Sequence, residues 1–232
     1  MRVIRDKSFE ELSRLAATEV LIRIQELAIL KNSVNLGLVG GRSVSEIYRA
    51  LTENTTISWK KVHFFLLDER YVPLDDKESN YSLIKKDLFD PLLENNLITT
   101  KNIHPINTHA NNPNDAVFEY EKILDQYDGK IDVAIISAGE NGHVAAIHPG
   151  MYFNTKGTYK YIEDSPKPPP KRITITPETL SETSSAILVF KGEGKKEALK
   201  KFLNKPEAKR TTPEKTMHLI KDLIVITDLK EE

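Results

Sequence analysis

The stretch VNLGLVGGRSVSEIYRALTE, residues 34–53, joins an apolar run, a glycine pair and a helical pattern. VNLGLV (34–39) reads as a buried strand, Gly40 and Gly41 allow a tight turn, and SVSEIYRALTE (43–53) has the period of a helix that Ser43 is placed to cap. The same unit recurs along the chain. VHFFLL (62–67), VAIIS (133–137), AILVF (186–190) and LIVIT (223–227) read as further buried strands. Between most of them lie the helical patterns YSLIKKDLFDPLL, DAVFEYEKILDQY and KKEALKKFL. Ahead of them all, Ser8 and Glu11 have capping-box spacing, and Phe9, Leu12, Ala16, Val20, Ile24 and Leu27 mark a long amphipathic helix. Strands alternating with helices predict βαβ units, and so an α/β fold with a mainly parallel sheet flanked by helices on both faces.

A chain of 232 residues that is 39% hydrophobic can bury one sizeable core, so residues 1–232 are read as one domain. Its 33 Lys and Arg nearly cancel 34 Asp and Glu, leaving no overall field to attract nucleic acid or an anionic membrane. Any anion must be caught locally. The absence of cysteine removes disulfides, thiolate nucleophiles and cysteine-based zinc sites. MRVIRDKSFEELSRL turns charged and helical where a signal peptide needs an apolar core, and no apolar run approaches membrane-spanning length. A cytoplasmic location is expected. NTT at Asn54 and NYS at Asn80 match glycosylation sequons by chance on that reading. SPKPPPK (165–171) is a stiff connection inside the domain.

In parallel sheets of this kind ligands bind where loops leave the carboxyl ends of the strands, so the motifs are sought there. After the first apolar run, Gly41, Arg42 and Ser43 open a helix whose free N–H groups suit a phosphate or carboxylate. An ordinary strand-to-helix turn has the same residues, and neither a Walker A sequence nor a complete G-x-G-x-x-G is present. The second run passes directly into DERYVP, where Asp68 is placed to take a proton or orient a partner and Arg70 to neutralise developing negative charge. Glu69 reads instead as part of a surface ion-pair cluster. The third run delivers GENGHVAAIHPG (139–150), in which Gly139 and Gly142 permit conformations other residues find strained. His143 then starts a short helix, HVAAI, and its neutral imidazole is able to take a proton from water. A structural turn holding a satisfied histidine is the competing reading. His148, five residues on, makes no metal site without a third ligand, so no metal is expected.

GGRS, FFLLDERYVPLDDKESNYSL, GENGHVAAIHPG, SPKPPPKRITITPETL, VFKGEGKKEAL and LIVITD resemble, in this order, the motifs of the 6-phosphogluconolactonase family. That family is related to glucosamine-6-phosphate deaminases and isomerases. The resemblance spans nearly the whole chain. Its most telling pieces are DER with the downstream SNY, the Gly-x-x-Gly-His loop, and SPKPPPKRITIT, which is closer to the lactonases than to the deaminases.

The resemblance implies a Rossmann-like fold of the sugar-phosphate isomerase type and hydrolysis of 6-phosphoglucono-1,5-lactone to 6-phosphogluconate in the oxidative pentose phosphate pathway. His143 would activate the attacking water with Asn141 beside it, and Arg70 or backbone N–H groups would steady the oxyanion. Arg172 and Lys195 would hold the substrate phosphate, Gly41, Arg42 and Ser43 would lie near the sugar, and Asp68 would stand at the cleft. No cofactor, metal or covalent intermediate is implied. The sugar phosphate is then the partner of a monomer that docks, at most, on glucose-6-phosphate dehydrogenase. Three departures stand out: Asn141 where the family loop usually has Asp, GGRSV where a Ser/Thr-Pro pair is commoner, and TPEKTMH as a loose match to a Pro-Ala-Ser segment. The alternatives are an aminosugar-phosphate deaminase or isomerase, with Asp68 moving a proton beside the carbonyl, a non-catalytic sugar-phosphate sensor, and an interaction domain. Asn141 argues against the deaminase because the acid aligned there is missing.

Overall fold

In the computed structural model the described residues are 1–6, 8–153, 157–204 and 213–230, so the TPEKTMH segment begins outside them. The strands along the chain are β1 (Arg2–Arg5), β2 (Val34–Leu38), β3 (Val62–Leu66), β4 (Asp68–Arg70), β5 (Ile103–His104), β6 (Val133–Ser137), β7 (Tyr159–Ile162), β8 (Arg172–Ile175), β9 (Ser185–Phe190) and β10 (Asp222–Thr227). Seven form a wholly parallel sheet in the order β1-β10-β9-β6-β2-β3-β5. The five apolar runs are its five inner strands. Every residue of β2 and of β9 is buried, which requires cover on both faces.

Helices supply that cover. In α1 (Phe9–Leu30), Ser8 Oγ accepts from Glu11 N at 3.3 Å, and Leu12, Ala16, Val20 and Ile24 form the buried stripe. α2 (Arg42–Thr52) follows the glycine turn and buries Val44, Ile47, Tyr48 and Leu51. Its cap is Gly41, at φ +117°, with no side-chain bond; Ser43 lies inside the first turn and is not the cap. α3 (Asn80–Ile84) and α4 (Asp90–Glu94) are joined by a π-helical turn, Lys85–Phe89. Pro91 cannot donate a hydrogen bond back into the helix, and the chain widens just before it. Further along come α5 (Pro113–Asp125), α6 (Pro177–Ser181) and α7 (Lys196–Leu203).

β3 does not end in a loop. The chain passes through Leu67 into β4, which pairs antiparallel with β8, and β8 pairs with β7 to make a second, three-stranded sheet. DER and RITI are thereby neighbours, with Asp68 opposite Thr174 and Arg70 opposite Arg172. Nor is HVAAI a helix. Val144 bridges Ala138 on one side and Ile147 on the other, with Ala145 at φ +50°, so the segment folds back as a tight turn. Pro149 closes off helical continuation.

The connection from β2 leads to β3 on one side, whereas β6 lies on the other side of β2 and its chain moves on toward β9. Loops leaving two adjacent strands in opposite directions open a crevice at their carboxyl ends.

Candidate active site

A solvent-open cleft occupies that crevice. Val39 and Gly40 reach it from the end of β2, Asp68, Arg70 and Asn80 from β4 and the start of α3, Ser137, Gly139, His143 and Ala145 from the end of β6 and the loop after it, Arg172 from β8, and Lys195 from the loop after β9.

The loop after β6 is shaped around His143. Asn141 Oδ1 lies 2.6 Å from His143 Nδ1 and also accepts its backbone N–H at 3.4 Å. An amide oxygen can only accept, so Nδ1 carries the proton and Nε2 presents its lone pair. Gly139 N donates to His143 O at 2.7 Å, and a Cβ on Gly139 would collide with the His143 ring. Gly142 sits at φ +81°. One glycine thus makes room for the ring and the other turns the chain. The buried His148 stacks on His143 with ring centroids 4.5 Å apart. Burial, then His148 and the cations Lys167, Arg172 and Lys195, pull His143 down to about 3. The imidazole is neutral at physiological pH.

Lys195 forms the cationic end of the cleft. Its Nζ donates to Ser43 Oγ at 3.0 Å and Ser137 Oγ at 2.7 Å, leaving its third N–H without a partner among the described residues. Burial draws its ammonium down to about 8, against the opposing pull of Glu140 and Asp228. The start of α2, the end of β6 and the segment after β9 therefore converge on one ammonium and two hydroxyls.

Arg172 is buried and held by the proline-rich segment. Nε donates to Pro169 O at 3.1 Å, and one terminal nitrogen donates to Lys167 O and Pro168 O, each at 3.2 Å. Its other terminal nitrogen is 3.9 Å from Asp68 Oδ2. Asp68 is itself buried, which raises its carboxyl above the usual range against the pull of Arg70 and Arg172.

Glu69 is no surface residue. It is fully buried, and its carboxylate accepts from the backbone N–H groups of Arg70, Asn80 and Tyr81 and from Ser79 Oγ, at 2.7–3.0 Å. Burial pushes it up to about 7 although all four donors favour the charged form. The effect is a knot that closes the chain between β4 and α3. Asn80, tied at its backbone, donates from Nδ2 to Asp68 O at 2.8 Å and lies against Gly40. Arg70 donates to Glu78 O at 2.7 Å, and its buried Nε has no partner.

Of the residues singled out in the sequence, His143, Asp68, Arg70, Arg172 and Lys195 line one cleft. Asn141 joins them through His143, and Ser43 through Lys195. Gly41 caps α2, and Arg42 is exposed outside the lining. The sequence reading passed over Asn80 and Ser137, although SNY was noted as a motif and Ser137 is the last residue of a predicted strand. Among the described residues no helix is long and apolar enough to cross a membrane, and no group of three or more His, Asp or Glu converges as a metal site.

Comparison with known proteins places the chain in a family. The profile of the family described as glucosamine-6-phosphate isomerases/6-phosphogluconolactonase matches residues 7–224. A curated 6-phosphogluconolactonase from Borreliella burgdorferi is 32% identical over 200 residues, 85% of each chain. The crystal structure of a 6-phosphogluconolactonase from Thermotoga maritima superposes with a TM-score of 0.82 at 26% identity, covering 97% of this chain and 96% of that one. A monomeric glucosamine-6-phosphate deaminase shares the fold equally well, with a TM-score of 0.83 at 23% identity over 98% and 97% of the two chains. By sequence and by fold, the chain belongs to the glucosamine-6-phosphate isomerase/6-phosphogluconolactonase family.

Proposed function

We propose that the chain is a 6-phosphogluconolactonase, hydrolysing 6-phosphoglucono-1,5-lactone to 6-phosphogluconate with His143 as the general base. The observation that carries this reading is the 2.6 Å contact of Asn141 Oδ1 with His143 Nδ1: it selects the tautomer with Nδ1–H, which leaves an unprotonated Nε2 in a cleft that ends in a Lys195 ammonium. Nε2 takes a proton from water as the water oxygen attacks the lactone carbonyl. The tetrahedral intermediate then expels the ring oxygen, which takes the proton back from the imidazolium. Base assistance of this type supplies roughly 10²- to 10⁴-fold. Lys195, with the hydroxyls of Ser43 and Ser137, and the free edge of Arg172 receive the phosphate. A bound phosphate dianion offsets the part of the depression that comes from Lys167, Arg172 and Lys195, and so raises the basicity of His143 while the larger part, from burial, remains. Arg70, whose Nε lacks a partner, steadies the oxyanion.

Asn141 favours the lactonase over a deaminase. An amide orients the imidazole but has no acidic proton to pass on to an amine leaving group. The lactone is an oxidation product of a sugar phosphate, so the enzyme acts after glucose-6-phosphate dehydrogenase in the oxidative pentose phosphate pathway, as a cytoplasmic monomer. The test presents two substrates side by side: the lactone, generated in place and followed by a coupled dehydrogenase above its spontaneous opening, and glucosamine 6-phosphate, followed by ammonia release. Lactone turnover without ammonia is expected. Ammonia release without lactone turnover, or neither, overturns the reading.

A further inference from the structure

The proline-rich segment does more than grip Arg172. Ser165, at its start, donates its backbone N–H to Pro170 O at 3.0 Å, and its Oγ lies 3.3 Å from His148 Nε2. His148 is 3% exposed and its plane is tilted only 24° from that of His143. The two rings face different spaces. His143 lines the cleft, whereas His148 lines a second cavity, walled by Met151, Phe153 and Tyr161 among others, on its far side. The stacked pair is the partition between them.

We propose that His148 is the positioning residue of His143: locked by Ser165, its ring fixes the plane of the His143 imidazole and keeps water in the second cavity from reaching it. The inference rests on the reading of His143 as the base. Two surfaces then define the base, the Asn141 oxygen at one edge and the His148 ring across one face, and neither carries a charge at neutral pH.

The cations facing the pair are Lys167 and Arg172, on the proline-rich segment and β8, and Lys195 beyond β9; Lys160, Glu163 and Asp164 border the second cavity. Removing the ring opens His143 to water and relieves the burial that is the largest cause of its depressed affinity for a proton. Phe at 148 retains a flat ring of similar size, and it removes an Nδ1 that is buried without a partner.

The experiment is an NMR titration of the His143 ring in wild type, His148→Ala and His148→Phe, beside kcat and KM for the lactone. His143 is expected to titrate near pH 3 in wild type. In His148→Ala the midpoint should rise by at least about one pH unit, with kcat down roughly tenfold and KM little changed. His148→Phe should keep most of kcat and raise the midpoint by less than the alanine variant does, because the ring still excludes water while the charge interaction with His148 is lost. If the alanine variant fails to fold, His148→Asn, which is polar but has no ring, takes its place with the same expectation. The proposal is overturned if a folded, ringless variant titrates as wild type does, or if Phe behaves like Ala. The titration does not depend on turnover. An inactive wild type whose His143 still responds to residue 148 would sink the lactonase reading and leave the partition standing.

Discussion

The imidazole of His143 depends on a residue with no side chain. A Cβ at Gly139 would occupy the space of the His143 ring, so Gly139→Ala must push the ring out of its plane. Activity should fall roughly 100-fold while far-UV circular dichroism is unchanged; a fully active alanine variant would contradict the geometry. Lys195 makes a separate claim. Lys195→Ala should weaken binding of 6-phosphogluconate about 10- to 100-fold, the range for a hydrogen bond to a charged group, and leave binding of unphosphorylated gluconate unchanged. Equal loss for both ligands in calorimetry would move the phosphate elsewhere. His143 and Asp68 were legible in the sequence because each follows an apolar run, where a parallel sheet exposes its strand ends. Glu69 was misread, since the four donors that bury it come from Arg70 and from residues ten to twelve positions downstream. Asn80 and Ser137 were missed because only tertiary contact turns an amide and a hydroxyl into parts of a site.

The inner strands announced themselves as continuous apolar runs, the pattern of strands covered on both faces. The second sheet could not. β4 is the charged triplet DER, with no hydrophobic pattern of its own, and its partner β8, RITI, is a short alternation directly after a run of prolines; pairing with each other makes them a sheet. β5, at the sheet edge, is two residues long and carries a feature with a pH signature. His104 on β5 meets His63 on β3, Nε2 to Nδ1 at 3.0 Å, against Phe65 and Tyr127. Burial lowers the proton affinity of both, taking His104 to about 4 with His63 as a second cause. Between the ordinary histidine value of 6.5 and about 4 the unfolded chain therefore binds more protons than the folded one. Stability is complete above 6.5 and is lost as pH falls through that window, by an amount on the order of 1–2 kcal/mol for His104 once solvent screening is allowed for. Thermal midpoints measured across the window should decline in wild type and less steeply in His104→Phe. Parallel slopes would show that the pair does not titrate this way.

The two sheets are knitted rather than apposed. Tyr159 of β7 donates to Leu66 O at 2.9 Å, Ile175 N donates to Leu67 O at 2.7 Å, and one hydrophobic cluster runs from the main sheet to Tyr159, Ile173 and Ile175. We therefore expect a single domain, with near- and far-UV circular dichroism following one urea transition. Separated transitions would mean that the small sheet unfolds on its own and takes Asp68, Arg70 and Arg172 with it. At this scale the sequence was most readable, because the parallel direction of the main sheet and its cover by helices follow from the alternation of apolar runs and helices, whereas the strand order is seen only in the structure. The cleft, in contrast, is assembled from six separate segments, and the function proposed for it rests on one atom, His143 Nε2. The most direct test is lactone hydrolysis above the spontaneous rate, measured at rising concentrations of wild type and of His143→Gln. The account predicts a rate proportional to wild-type enzyme and no increment from the glutamine variant. A folded wild type that adds nothing to the background, or a glutamine variant as active as wild type, would contradict it.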